Sequence, residues 1–121
     1  MIKPGIPENE SERLHALYQY QILDTEAEKE FDELVQLASQ ICKVPVSIIS
    51  MIDSNRQWFK AKIGFDAEET PRDVSFCAHA IHQDEILMIN DTTQDKRFAD
   101  HPVVIGDPNI RFYAGKPLIN P

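Results

Sequence analysis

Val46-Ser47-Ile48-Ile49-Ser50-Met51-Ile52-Asp53-Ser54-Asn55-Arg56-Gln57-Trp58-Phe59-Lys60-Ala61-Lys62-Ile63 is the stretch whose reading decides the fold. Its first seven residues are rich in β-branched side chains and carry apolar groups at both parities, the pattern of a strand buried on both faces. Asp53-Ser54-Asn55 has turn chemistry, short polar side chains that bond their own backbone. From Trp58 onward the pattern alternates: Phe59, Ala61 and Ile63 share one side, and Trp58, Lys60 and Lys62 the other. Two such runs around a short polar turn predict an antiparallel hairpin whose second strand is half solvated.

Upstream of the hairpin the period changes to that of helices. Asn9-x-x-Glu12 has capping-box spacing and predicts a short helix with Leu14, Leu17 and Tyr18 on one face. Thr25-x-x-Glu28 repeats the device and opens a second helix, whose Phe31, Leu34, Val35, Ala38, Ile41 and Cys42 make one apolar stripe. Phe31, Leu34, Val35, Ala38 and Ile41 are expected to pack on the sheet beneath Ile48 and Ile52. Val44-Pro45 ends that helix, because proline disfavours helical geometry in the residue before it.

Downstream, residues 64–73 have loop composition, and Asp73 or Ser75 can cap a helical turn through Val74 to His82. Ile86 to Ile89 reads as a third strand, residues 91–107 as an irregular excursion with a helical turn near Lys96 to Asp100, and Ile110 to Leu118 as a fourth strand. Pro117 places the end of that strand at an edge or a bulge. Helices first and strands after them define an α+β domain, with N-terminal helices packed on one face of an antiparallel sheet.

A chain of 121 residues, 42% hydrophobic and 26% charged, fits one globular domain rather than a disordered segment. Twenty acidic residues against twelve basic ones give a net charge of -8, the wrong sign for nucleic acid or an anionic membrane surface. No apolar run is long enough to span a bilayer, and the first 30 residues hold no signal-peptide core. Two cysteines, Cys42 and Cys77, make no disulfide framework and point to a reducing, cytoplasmic setting. Residues 1–9 are expected to be a flexible lead-in and residues 10–121 the domain.

Five motifs in order carry a family resemblance: Glu12-Arg13-Leu14 with Tyr20-Gln21-Ile22-Leu23-Asp24-Thr25; Asp53-Ser54-Asn55-Arg56-Gln57-Trp58-Phe59-Lys60; Glu69-Thr70-Pro71-Arg72-Asp73-Val74-Ser75-Phe76-Cys77-Ala78-His79-Ala80-Ile81; Arg97-Phe98-Ala99-Asp100; and Ile110-Arg111-Phe112-Tyr113-Ala114-Gly115. Over about residues 10 to 119 the chain resembles the N-terminal sensory GAF domains of bacterial signalling proteins, which sit ahead of histidine-kinase or diguanylate-cyclase modules. The resemblance implies a profilin-like, PAS-related sheet with helices on one face and a small-molecule pocket on the other, roofed by loops. It also implies a regulatory input domain that is not catalytic alone, with an unidentified small molecule, a second copy in a homodimer and a C-terminal output domain as partners. The family's sheet ends with a further strand and helix after Leu118, the strand lying between Val46–Ile52 and Ile110–Leu118. Two open strand edges are therefore expected to recruit a second copy, by strand exchange first of all.

The long irregular segments 72–82 and 91–108 are where binding residues concentrate. They and the fourth strand give the candidate pocket: Arg72, Phe76, Cys77, His79, Asp91, Arg111 and Tyr113. Arg72 and Arg111 are the cations that can hold a phosphate there. Arg72 and Asp73 also read as a loop-anchoring ion pair with a helix cap, and Asp91 can pair with Arg111 across the sheet end. Trp58 reads as an exposed aromatic or an interface anchor. Cys77, His79 and His82 have metal-ligand chemistry, but Cys77 and His79 point about 200° apart on a helix, and no second ligand motif completes four donors. Some relatives attach a bilin through a cysteine followed directly by histidine, and here Ala78 intervenes. Asn90, Lys96, Phe98 and Asp100 only loosely echo a cyclic-nucleotide signature. Two alternatives to a sensing module are a Cys77-dependent redox enzyme of the free methionine sulfoxide reductase kind and a purely structural dimerisation domain.

Overall fold

The hairpin forms where the sequence puts it. In the computed structural model, which describes residues 1–120, β1 (Ser47–Ile52) pairs antiparallel with β2 (Arg56–Ile63) across the Asp53–Asn55 turn. A third strand, β3 (Glu69–Pro71), lies along the other edge of β2 in the order β1-β2-β3. Residues 64–73 have loop composition, yet this strand forms within them and ends on Pro71, which lacks an amide donor. At the end of an edge strand that missing donor does no harm.

Residues 9–72 form one compact unit and residues 1–8 with 73–120 another. In the first, α1 (Glu10–Gln19) precedes α2 (Lys29–Cys42), which packs on β1 and β2. Asn9 stands at the N-cap of α1 but makes no side-chain capping bond. The N-cap of α2 is Glu28 rather than Thr25, because the Thr25 hydroxyl is engaged elsewhere: it donates to Ile22 O at 2.5 Å and accepts from Lys60 Nζ at 2.7 Å. At the far end Lys43 takes the left-handed conformation (φ 55°) and closes the helix before Pro45.

The burial of α2 corrects the expected stripe. Val35 is buried at 2% exposure and Phe31 is half-buried, but Leu34 (54%), Ala38 and Ile41 (70%) face solvent together with Leu37. A wide apolar face needs a wide sheet beneath it, and α2 meets two strands. β1, expected to be buried on both faces, is half-buried except at Ile52, since it is an edge strand. β2 departs in the opposite direction. Gln57, Trp58, Phe59, Lys60 and Ala61 are all buried, where half solvation was expected. Ile49 pairs with Ala61 and Ser50 with Phe59, so Lys60 has no opposite number. One extra residue of this kind is a β-bulge, which re-aims the side chain and ends strict alternation.

The second unit holds α3 (Phe76–Ala80), β4 (Leu87–Ile89), a 3-10 turn at Thr92–Gln94, α4 (Pro102–Ile105) and β5 (Tyr113–Gly115). Ser75 caps α3 by accepting from Ala78 N–H at 3.0 Å. β4 and β5 make a separate antiparallel pair, with Ile89 opposite Tyr113. The strand expected over 110–118 is thus three residues long, and Lys96 to Asp100 form hydrogen-bonded turns closed by Phe98 and Ala99 onto Asp95. Phe76, Ile89, Phe98 and Val104 make the core, ringed by Val103, Ile110 and Tyr113. The first eight residues lie on this unit: Ile2 N–H donates to Arg97 O at 3.4 Å, and the Met1 ammonium pairs with Asp100. Helices with antiparallel sheets make the fold α+β. Among the described residues no helix is long and apolar enough to cross a membrane.

Candidate ligand-binding site

Four of the seven candidates come together in the second unit. The α3 cap at Ser75 sets the helix so that Phe76 points into the core, where it packs on Phe98 (4.2 Å between ring centroids) and edge-on to His101 (4.9 Å) and Tyr113 (5.3 Å). Cys77 and His79 follow on the same short helix, both half-buried. The Tyr113 hydroxyl donates to Cys77 Sγ at 3.2 Å. Burial, and then the thiol beside it, push the Tyr113 phenol well above its ordinary value, so it stays a neutral donor. A Cβ at Gly115 would lie 2.1 Å from the Tyr113 hydroxyl, so only glycine lets the ring lie there. His79 stacks edge-on to Phe98 at 4.8 Å and its Nε2 is 3.2 Å from Ile2 O. Burial holds its basicity below the usual imidazole value.

Asp91 and Arg111 are placed differently from the expected pair. Asp91 Oδ1 accepts from Thr93 N–H at 3.0 Å and from the Thr93 hydroxyl at 2.6 Å, which keeps its carboxyl below the usual range. Arg111 donates to the carbonyls of Val104 at 2.6 Å and Ile110 at 3.3 Å. Each satisfies local backbone, which is why they make no ion pair. Sequence reasoning passed over His101, a buried imidazole whose Nδ1 caps α4 by accepting from Val103 N–H at 3.1 Å. Its Nε2 lies 2.6 Å from Val74 O. The signal for it was present in His101-Pro102, since proline is favoured at the first helical position behind a capping residue.

Arg72 belongs to the first unit, and its pairing also corrects the expectation. Its partner is Glu10, at 3.0 Å from Nη2 to Oε1 and 2.5 Å from Nη1 to Oε2, whereas Asp73 lies 3.5 Å from Lys3. Nη1 also donates to Asp53 O at 3.0 Å. Nη1 and Nη2 are thus engaged by the protein itself. Beside Arg72, Arg56 makes a bidentate pair with Asp24 at 2.8 Å for both contacts, and reaches Asp53 at 3.0 Å and Glu69 at 3.3 Å. Asn55, Arg56, Glu69, Thr70 and Pro71 line an open recess of about 230 Å³ next to these ions. None of the seven candidates lines it. Among the described residues no group of three or more His, Cys, Asp or Glu side chains is placed to hold a metal ion.

Helices with antiparallel sheets, and an aromatic cluster of which Tyr113 reaches one half-buried thiol, make up a small α+β domain. Residues 26–120 match the GAF domain family, and the chain belongs to it. Over 118 residues, 98% of its length, it is 43% identical to a protein of Pseudomonas aeruginosa named as a cyclic di-GMP phosphodiesterase. The chain spans 20% of that relative.

Proposed function

We propose that the chain is the regulatory input domain of a bacterial cyclic di-GMP signalling protein, without catalytic activity of its own. The 43% identity to the Pseudomonas aeruginosa phosphodiesterase, over nearly the whole chain and a fifth of that relative, carries the reading. It favours a cyclic di-GMP hydrolase as the output module over the histidine kinase or diguanylate cyclase that the family at large suggests. The sensing face is the half-buried wall of Cys77, His79 and Tyr113, which a small molecule reaches from solvent, while Phe76 and Phe98 form the floor. A homodimer is the working assembly.

The test is made on the full-length protein purified from its own host. Native mass spectrometry should find a small molecule retained by the wild type and lost on Cys77→Ser with Tyr113→Phe. The rate of cyclic di-GMP hydrolysis should change several-fold when residues 9–121 are deleted. A full-length protein with no cyclic di-GMP turnover would overturn the assignment of the output. The close approach of Tyr113 to Cys77 favours one second reading, a Cys77-dependent redox activity. Sulfoxide- or peroxide-linked turnover that survives Cys77→Ser removes it.

A further inference from the structure

α1 is attached to its unit in an unusual way. None of its residues is buried; Leu14 and Leu17 are half-buried and Tyr18 is exposed. The buried apolar side chains of the unit, Val35, Ile52, Trp58, Phe59 and Ala61, include no residue of α1. Polar bonds do the holding. The Glu10 carboxylate sits between two guanidiniums, taking the two bonds from Arg72 and one from Arg13 Nε at 2.9 Å. Arg13 Nη1 reaches the end of β1 at Ile52 O, 2.6 Å away, and the Tyr18 hydroxyl donates to Asp53 Oδ1 at 2.7 Å. Arg72, 4% exposed, carries the clasp onto the hairpin turn through the carbonyls of Asp53 and Ser54.

The clasp is incompletely satisfied. Arg13 Nη2 and Arg72 Nε are buried with no hydrogen-bond partner, and buried donors without acceptors oppose the closed state. A fixed point and two left-handed residues lie just beyond the helix. Arg56 grips Asp24 with two bonds, and between α1 and that grip Gln21 (φ 51°) is in the left-handed region, as is Asp24 itself (φ 61°). Non-glycine residues held there are strained and mark places where the chain changes direction under constraint.

We propose that α1 is a strap: residues 10–19 open and reclose on the β1–β2 turn as a unit, hinged at residues 20–24 and held shut by the Glu10 clasp, while α2 and the sheet stay folded. Opening carries Arg13 away with α1, exposes Arg72 beside the turn and leaves the apolar core intact. Elements fastened by few buried apolar groups are those that open below the global unfolding free energy.

Amide hydrogen exchange with peptide-level mass spectrometry on the 121-residue chain tests this. Amides of α1 should exchange on the order of tenfold or more faster than those of β2 in the wild type. Glu10→Gln should speed α1 by a further factor of about ten and leave α2, β1 and β2 unchanged. Tyr18→Phe, a milder change at an exposed side chain, should speed α1 alone by a few-fold and serves if Glu10→Gln does not fold. Exchange of α1 at the same rate as β1 and β2, or acceleration of all three together in either variant, would overturn the proposal.

Discussion

Lys60 Nζ lies 2.7 Å from Glu28 Oε2, and the two ends of this ion pair live in different solvents: the lysine side chain is 0% exposed and the glutamate 53%. The ammonium also donates to Thr25 Oγ1 at 2.7 Å and to Glu26 O at 2.6 Å, and stands 5.7 Å from the centre of the Phe31 ring. The bulge in β2 thus turns a nominally solvent-facing lysine into the post on which residues 25–28 are fastened.

That asymmetry predicts unequal costs at the two ends. Lys60→Ala removes a buried cation and leaves a cavity with the Glu26 carbonyl unbonded, so it should destabilise by about 2–4 kcal/mol. Glu28→Gln acts at a half-solvated carboxylate and should cost less than about 1 kcal/mol. Urea melts of the two variants decide it; equal losses would mean that the ion pair itself, rather than the burial of Lys60, sets the stability.

On α2 the prediction is a reversal of what the apolar stripe alone suggests. Val35→Ala should cost about 2 kcal/mol, because its side chain is buried on a helix that packs on β1 and β2. Leu34→Ala, at a side chain more than half exposed, should cost less than about 1 kcal/mol. A loss at Leu34 as large as that at Val35, measured at micromolar concentration, would show that the solvent-facing side of the helix is covered in solution.

Acid should loosen the clasp on α1 through Glu10. Its bond to Arg72, with Arg13 in support, lowers its pKa from 4.5 to about 2. A carboxyl depressed on folding stabilises above its unfolded pKa, and that contribution is lost as pH falls through the folded value. The hold on α1 should therefore weaken between about pH 4.5 and pH 2, read as α1 amides exchanging faster relative to those of β2 after correction for intrinsic rates, and Glu10→Gln should flatten this dependence. An unchanged slope in the variant would place the acid sensitivity at other carboxylates.

Tyr113→Phe keeps the ring on Phe76 and removes only the bond to Cys77 Sγ. It should cost about 1 kcal/mol. Phe98→Ala, emptying a site 1% exposed at the middle of the core, should cost about 3–5 kcal/mol. Similar values for the two, by chemical denaturation, would mean that the thiol–phenol contact and not the aromatic packing holds this unit together.

Much was legible in the residues themselves. The hairpin followed from β-branched runs around Asp53-Ser54-Asn55, and α3 from Ser75 ahead of Phe76. Each of these depends on neighbours within a few positions, so local chemistry suffices. Phe76, Cys77 and Tyr113, candidates from the sequence, lie side by side because β4 pairs with β5 in a register that sets Tyr113 opposite Ile89. His101 escaped notice although His101-Pro102 announced a helix start.

Order of elements, helix period, turn chemistry and family membership are properties that the linear chain alone determines, since each rests on residue types at short fixed spacings. Tertiary structure decided which faces are covered and which charges meet. Alternation in β2 forecast a wet Lys60, but one unpaired residue in the ladder shifts the parity and buries it. Arg72 was matched on paper with the adjacent Asp73, yet its partner is Glu10, sixty-two positions away. A long flexible side chain meets whatever carboxylate the fold brings within about 3 Å, and sequence distance has no part in that choice.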